Sequence, residues 1–305
     1  MISLPLVSVV IPTYARAKYI CRAIDSVLSQ TYKNIEIIVV DDNGRGTDAQ
    51  KDTYYHLSNY IKNKQIIYVV HEVNKNGAAA RNTGIYKSKG NYICFLDDDD
   101  EYCIDKLEKQ VAVLNELSEE WAGVYCNSID KYYNGKNYFI QNNISGNLQE
   151  DLLLCKARFG STSLMIRRNV CMELHGFDET FRRHQDWEFL VRLLDKYKLK
   201  LVDPNKALIY YYIHRLNDNR PKGLEALECK KKYLDKFKTE IERSKRKNEI
   251  YYIQYIGIVK VLLKESLFQS GWALFIQVCS YKIPSIKDLL SVIKSLMQGL
   301  ILCGK

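Results

Sequence analysis

The sequence predicts an α/β fold, a mixed but mostly parallel sheet with flanking helices, followed by a helical C-terminal segment. Three observations predict it. Short β-branched runs alternate with amphipathic stretches over the first hundred residues. Those runs are apolar almost throughout, as strands covered by helices on both faces are. Polar or acidic residues follow directly where the runs end.

Taken in order, Leu6 to Ile11 reads as a strand, Tyr19 to Ser29 as a helix, Ile35 to Val40 as a strand and Asp48 to Ile61 as a helix. Ile66 to Val70 is a strand, Gly77 to Ser88 a helix and Asn91 to Leu96 a strand. A helix from Asp105 to Leu117 is followed by strands at Ala122 to Ser128 and Tyr132 to Ile140. Leu164 to Ile166 reads as a strand, Asp186 to Lys196 as a helix, and strands follow near Lys200 to Val202 and Leu208 to Ile213. After Asn219 the alternation stops. One long helical pattern covers Gly223 to Glu249, and apolar helices follow near Ile250 to Leu267, Trp272 to Tyr281 and Ile286 to Leu302. The expected division is a catalytic domain over residues 1–219 and a basic, apolar helical segment over 220–305.

Composition bounds the class. A chain of 305 residues forms one large domain or one domain with an appendage. With 47% apolar and 27% charged residues and only five prolines, disorder and fibrous repeats are excluded. The formal charge is +9, and all of it lies at the back: 28 basic and 28 acidic residues precede Asn219, against 17 and 8 from there on. Nine cysteines lack any CxxC pair, which argues against a zinc site or disulfide framework and for reduced thiols. The first strand begins almost at Met1 with no basic leader or cleavage site, so a cytoplasmic catalytic part is expected.

In parallel sheets ligands bind outside the carboxyl ends of the strands. The strongest signal there is Phe95-Leu96-Asp97-Asp98-Asp99-Asp100, four consecutive carboxylates after an apolar strand. Such charges repel unless a cation joins them, and carboxylate oxygens suit Mg²⁺ or Mn²⁺ shared with substrate phosphates. The plain alternative is a solvated loop capping the next helix at Asp105. Asp41-Asp42 follows Ile37 to Val40; Asp41 reads as a turn residue before Gly44 and Gly46, and Asp42 as a ligand. Asn76 to Gly84 opens a helix with small residues, which suits either a phosphate at the helix N-terminus with Arg81 as a charged fork, or tight packing on the sheet. No P-loop and no GxGxxG pattern occurs, against an ATPase or a dehydrogenase.

The series Val7 to Tyr14, Gln30-Thr31-Tyr32 leading to Val40-Asp41-Asp42-Asn43, Asn76-Gly77 to Arg81-Asn82-Thr83-Gly84, and Phe95 to Asp100 resembles the family 2 glycosyltransferases of the GT-A fold, in order and in spacing. The resemblance continues at Gly176-Phe177-Asp178-Glu179 and at His184-Gln185-Asp186-Trp187-Glu188-Phe189 with Arg192. There the family normally reads Glu-Asp; Gln185 replaces the Glu while Asp186 keeps the position of the catalytic base.

The resemblance implies a role for each residue. Pro12, Thr13 and Tyr14 line the nucleotide pocket, with Tyr14 under the base and Asp42 accepting from its edge; Arg81, Asp97 and Asp98 hold the nucleotide sugar. Asp99 ligates Mn²⁺ or Mg²⁺, with His214 near metal and diphosphate, and Asp186 deprotonates the acceptor hydroxyl in one inverting displacement. The implied donor is a nucleotide-diphosphate sugar, a uridine diphosphate sugar by family preference. The implied acceptor is a glycan or lipid-linked glycan of capsule, O-antigen or exopolysaccharide synthesis. Its specificity would reside between Glu119 and His175.

The longest uncharged stretch of the tail, Ser266 to Tyr281, is short of the roughly 20 residues a spanning helix needs. Apolar helices with basic clusters at Lys230 to Lys232 and Arg243 to Lys247 suit a segment lying on the inner membrane surface; packing on the domain or a homodimer contact is the alternative. No nucleic-acid motif accompanies the basic residues. Two other classes compete. A nucleotidyltransferase would need a basic triphosphate loop, where Pro12 to Arg16 offers one arginine, and a non-catalytic scaffold would have lost Asp99 or Asp186.

Overall fold

The computed structural model describes residues 4–213 and 221–303, with side chains to residue 301. The elements run β1 (Val7–Thr13), α1 (Ala17–Leu28), β2 (Ile35–Asp41), α2 (Asp48–Lys62), β3 (Ile67–Val70), α3 (Gly77–Lys87), β4 (Tyr92–Phe95), β5 (Glu101–Tyr102), α4 (Lys106–Asn115), β6 (Trp121–Tyr125), β7 (Asn127–Tyr132) and β8 (Asn137–Ile140). After them come α5 (Gln149–Leu153), a 3₁₀ turn (Ser161–Ser163), β9 (Met165–Arg167), α6 (Arg168–Glu173), α7 (Gln185–Lys196), β10 (Lys198–Leu201) and β11 (Ala207–Ile213). The helices α8 (Gly223–Lys236), α9 (Lys238–Arg243), α10 (Lys247–Lys264), α11 (Phe268–Tyr281) and α12 (Ile286–Cys303) complete the chain. The chain folds as two compact units, residues 1–148 with 158–216, and residues 149–157 with 217–305.

In the first unit a seven-stranded sheet has the order β10-β6-β9-β4-β1-β2-β3, and only β9 runs against the rest. A four-stranded sheet, β5-β11-β7-β8, lies beside it in the same unit. The alternating pattern of the sequence produces this because β1, β2 and β4 are buried over their whole inner length, and α1 after β1 and α2 after β2 return the chain for the next parallel strand. Gly84 is why α3 lies so close: a Cβ there would stand 2.2 Å from Val10 Cγ1. Ala78 and Ala80 are likewise buried, so the small residues of this helix serve packing, and Arg81 alone carries charge from its first two turns.

Three sequence expectations are corrected. Ala122 to Ser128 is not one strand: the chain leaves the large sheet at Tyr125 and joins the small one at Asn127, where the Asn127 amide donates to the carbonyls of Asn142 and Pro204. The strand expected over Tyr132 to Ile140 is a turn followed by β8, because the Tyr132 carbonyl accepts from Gly135, whose φ of +80° glycine permits. The helix expected over Gly223 to Glu249 breaks twice, at Phe237 and at Ser244 to Arg246, where buried Phe237 and a Ser244 turn redirect it.

In the second unit α10 is the hub, with buried residues around most of its circumference, from Ile250 to Leu263, packing against α8, α11 and α12. At least three of the seven basic residues in the two clusters there are engaged within the unit. Lys230 is buried and donates to Gln254 Oε1 at 2.6 Å, Arg246 pairs with Glu249 at 2.7 Å, and Lys247 pairs with Glu242 at 2.8 Å. No described helix is long and apolar enough to cross a membrane.

Candidate functional site

The site is built where β1, β2 and β4 end. β1 and β4 are parallel neighbours, with Val10 opposite Phe95, so the Thr13 loop and the Asp97 to Asp100 loop leave the sheet side by side. The Thr13 hydroxyl donates to Asp98 Oδ2 at 2.7 Å, and Arg16 Nη1 reaches Asp99 Oδ2 at 2.7 Å and Asp98 Oδ1 at 3.3 Å. Arg22 donates to the backbone carbonyl of Asp99, and the Tyr212 amide donates to Asp100 Oδ1 at 3.1 Å. Each carboxylate of the run thus has its own donor, and a solvated loop is not what forms.

That run carries excess negative charge. Burial, against the pull of Arg16, holds the Asp98 carboxyl up to about 7. Burial and then the Asp97 and Asp99 charges push Asp100 well above the ordinary carboxylate range. Like charges crowded in a low-dielectric loop favour a proton or a cation.

Asp42 follows β2 and is also buried, with both oxygens engaged. Oδ1 accepts from His71 Nδ1 and the Lys75 amide, and Oδ2 from the Asn74 side chain and the Asn76 amide, all within 2.8 Å. Four donors fill the lone-pair sites of a carboxylate, so a nucleobase reaching Asp42 must displace one of them. Asp41 is the turn residue expected: it accepts from the Asn43 amide and side chain and from Tyr68. Of the first loop, Thr13 is buried, Pro12 half-buried, and the Tyr14 ring exposed and available for stacking.

On the facing side stands Asp186, in the first turn of α7. Its Oδ2 accepts from the Ser161 amide at 3.1 Å and the Ser161 hydroxyl at 3.2 Å, and Oδ1 takes no part in those two bonds. The next residue of that turn, Thr162, accepts from the Asp97 amide at 3.4 Å. One 3₁₀ turn therefore ties the acidic loop to the opposing carboxylate. Arg81 makes the second tie, with Nη2 2.7 Å from Asp97 Oδ1 and Nη1 3.3 Å from Gln185 Oε1. The guanidinium is buried, its Nε has no hydrogen-bond partner, and the Asp97 and Asp186 charges hold it protonated against the cost of burial. Tyr211 is half-buried near Asp100, Asp97 and Asp186, and its phenol stays neutral, pushed well above its ordinary range by desolvation first and then by those acids.

The structure brings together Thr13, Arg81, Asp97, Asp98, Asp99 and Asp186; His214 lies outside the described residues. Sequence reasoning missed Arg16, Ser161, Thr162 and Tyr211. Arg16 had a signal, as the first cation after the first strand end; Ser161-Thr162-Ser163 had none, lying in a stretch without motif. The Gly176 to Glu179 block serves the scaffold. The Asn82 amide donates to the Phe177 carbonyl and Glu179, and Gly176 has a φ of +66° where a Cβ would stand 2.2 Å from Asn82 Oδ1.

Comparison with known proteins adds family to geometry. Residues 8–174 match the sequence family described as Glycosyl transferase family 2. The chain is 30% identical over 242 residues to the amylovoran biosynthesis glycosyltransferase AmsB of Erwinia amylovora, covering 77% of this chain and 79% of that one. It is 42% identical over 115 residues to a Bacillus subtilis protein named for teichuronic acid biosynthesis, TuaG, over 37% of this chain and 44% of that one. Among solved structures, TarS (residues 1–349) of S. aureus in complex with UDP-GlcNAc superposes with a TM-score of 0.63 at 17% identity, over 96% of this chain and 80% of that one. A match covering more than half of the chain, a relative at 30% identity over most of both lengths, and the strand-end site described above make this chain a member of the family 2 glycosyltransferases, of the GT-A type.

Proposed function

We propose that the chain transfers a sugar, with inversion, from a nucleotide-diphosphate sugar to a hydroxyl of a glycan or lipid-linked glycan in the synthesis of a cell-surface polysaccharide. The observation that carries this is the placing of Asp186 across from Asp97 to Asp100, with Arg81 and the Ser161–Thr162 turn joining the two sides. The acidic side suits a donor diphosphate with its cation, and the lone carboxylate suits an acceptor hydroxyl. The likeness to AmsB and TuaG supports a polysaccharide acceptor, and the UDP-GlcNAc held by TarS supports a uridine diphosphate sugar as donor.

The donor set suits Mg²⁺ or Mn²⁺. No three His, Cys, Asp or Glu side chains among the described residues converge on one point, so the chain would offer one or two carboxylates, Asp99 first, and leave the remaining positions to phosphate and water. Burial, with the neighbouring acid charges added to it, raises Asp98 and Asp100, and agrees with this. Such an ion, when bound, supplies Lewis-acid stabilisation to the departing diphosphate.

The remaining roles belong to the chain itself. Tyr14 stacks under the base, Thr13 and Asp98 wall the pocket, and Asp42 orders Asn74 to Asn76 beside it. Arg81 presents its guanidinium to the diphosphate. Asp186 Oδ1 takes the acceptor proton while Ser161 holds Oδ2, so the attacking oxygen approaches the anomeric carbon from the face opposite the leaving group. Catalysis is assigned to residues 1–219. Residues 220–305 are assigned to membrane contact, which places the enzyme at the inner face of the plasma membrane, where a lipid-linked acceptor is available.

The test is release of nucleoside diphosphate from a panel of nucleotide sugars with Mn²⁺ or Mg²⁺, then with EDTA, using membrane extract as the acceptor source. Turnover of one donor that EDTA abolishes is expected. Binding and turnover of none, in any metal, would favour a scaffold that keeps the fold without the reaction.

A further inference from the structure

The second unit exposes an apolar stripe that its own packing does not use. On α12, Ile286, Leu289, Leu290, Ile293, Met297, Leu300 and Ile301 are all exposed, from 39% at Leu289 to 78% at Ile286. At 100° per residue they fall within about a third of the helix circumference. The opposite side of α12 is fixed in place. Val292 is buried, the Ser266 hydroxyl donates to the Gly299 carbonyl at 2.8 Å, and Tyr252 donates to Asp288 at 2.8 Å. Gly299 lies so close to α10 that a Cβ would stand 2.0 Å from the Leu263 carbonyl. The stripe cannot turn inward without breaking that contact.

The charge beside it has one sign. Lys287 and Lys294 lie along one edge of the stripe, both exposed, while Lys282, before the helix, pairs with Glu249 at 3.6 Å. The sole acid between Phe268 and Cys303 is Asp288, and it faces inward to Tyr252, Ser285 and Lys260. We propose that α12 lies in the plane of an anionic lipid surface, with the stripe among the acyl chains and Lys287 and Lys294 at the phosphates. A second copy of the chain is the poorer occupant. A two-fold contact would set the stripe against itself and bring lysines together with no outward acid to meet them. The clusters at Lys230 to Lys232 and Arg243 to Lys247 contribute less, since Lys230, Arg246 and Lys247 are engaged within the unit.

This deepens the membrane-proximal reading and rests on it only for the choice of leaflet; vesicle binding is measured without donor or acceptor, so its failure is separate from failure of the catalytic reading. The full chain is sedimented with vesicles of phosphatidylcholine, with and without 30% phosphatidylglycerol, and its oligomeric state is read by sedimentation velocity. Expected are at least about tenfold tighter binding to the anionic vesicles, loss of about tenfold or more in Ile293→Glu with Met297→Glu, and a smaller loss confined to the anionic vesicles in Lys287→Gln with Lys294→Gln. Both pairs are exposed, and melting temperatures should match the wild type. Absence of vesicle binding, binding unchanged by Ile293→Glu with Met297→Glu, or a wild-type dimer that those substitutions dissociate would each overturn the proposal.

Discussion

Replacing Asp98 by asparagine should make the protein more stable and the enzyme worse. Burial raises this carboxyl to about 7 in the fold, against 3.8 in the unfolded chain. Between pH 4 and pH 7 the fold therefore keeps a proton that the unfolded chain has lost, so this group's contribution to stability falls as pH rises through that window and levels off above it. At about 1.4 kcal/mol per pH unit, the ionised carboxylate costs the fold about 4 kcal/mol at pH 8. Asparagine keeps an acceptor for the Thr13 hydroxyl and gives up the 3.3 Å contact to Arg16, which retains Asp99 at 2.7 Å. Losing that contact takes back about 1–2 kcal/mol. A net gain of about 2–3 kcal/mol remains at pH 8, about 3–5 °C in melting temperature for a chain of this size, shrinking toward pH 4. Thermal melts of both proteins at pH 4, 5.5, 7 and 8 measure it. A variant that melts at or below the wild type at pH 8, or a difference that does not grow with pH, would refute the reasoning.

Two other substitutions probe the opposite side of the site. Gly160→Ala places a Cβ 3.2 Å from Asp186 Oδ2 and 3.5 Å from the Tyr211 hydroxyl, at a backbone φ of −129° that alanine adopts freely; if Asp186 is the proposed base, displacing it by a few tenths of an ångström should lower kcat about tenfold while donor KM and melting temperature hold, as paired kinetics and melts will show. Arg81→Lys cannot reach Asp97 and Gln185 together, so steady-state kinetics should find donor KM raised about tenfold or more, and an unchanged KM would exclude Arg81 from donor binding.

Much of this arrangement was legible in the sequence, for physical reasons that also mark where reading stops. β1, β2 and β4 are buried on both faces and write themselves as apolar runs; their ends are polar because the loops that leave them meet and hydrogen-bond there. Asp186 was singled out by the likeness of its block to the family pattern, but Ser161, which orients it, was not: two hydrogen bonds across 25 residues leave no local pattern. Arg16 was visible only as a charge, since its contacts with Asp98 and Asp99 depend on two loops meeting. The same holds for Lys230. The run of three lysines was expected at a membrane surface, yet the first is buried on Gln254, because helical periodicity places a residue on a face without saying what that face meets. The breaks at Phe237 and Ser244 escaped for a related reason: neither carries Gly or Pro, and tertiary packing set them.

The central claim is that Asp186 takes the proton of the acceptor hydroxyl. Its most direct test compares Asp186→Asn with the wild type, measuring donor affinity by titration and turnover by nucleoside diphosphate release at saturating donor and acceptor. Asparagine still accepts from Ser161, so donor affinity and melting temperature should hold within about twofold and about 2 °C while kcat falls about 10²–10⁴-fold. A kcat within about threefold of the wild type, with the donor bound as before, would contradict the account and remove Asp186 from the base position.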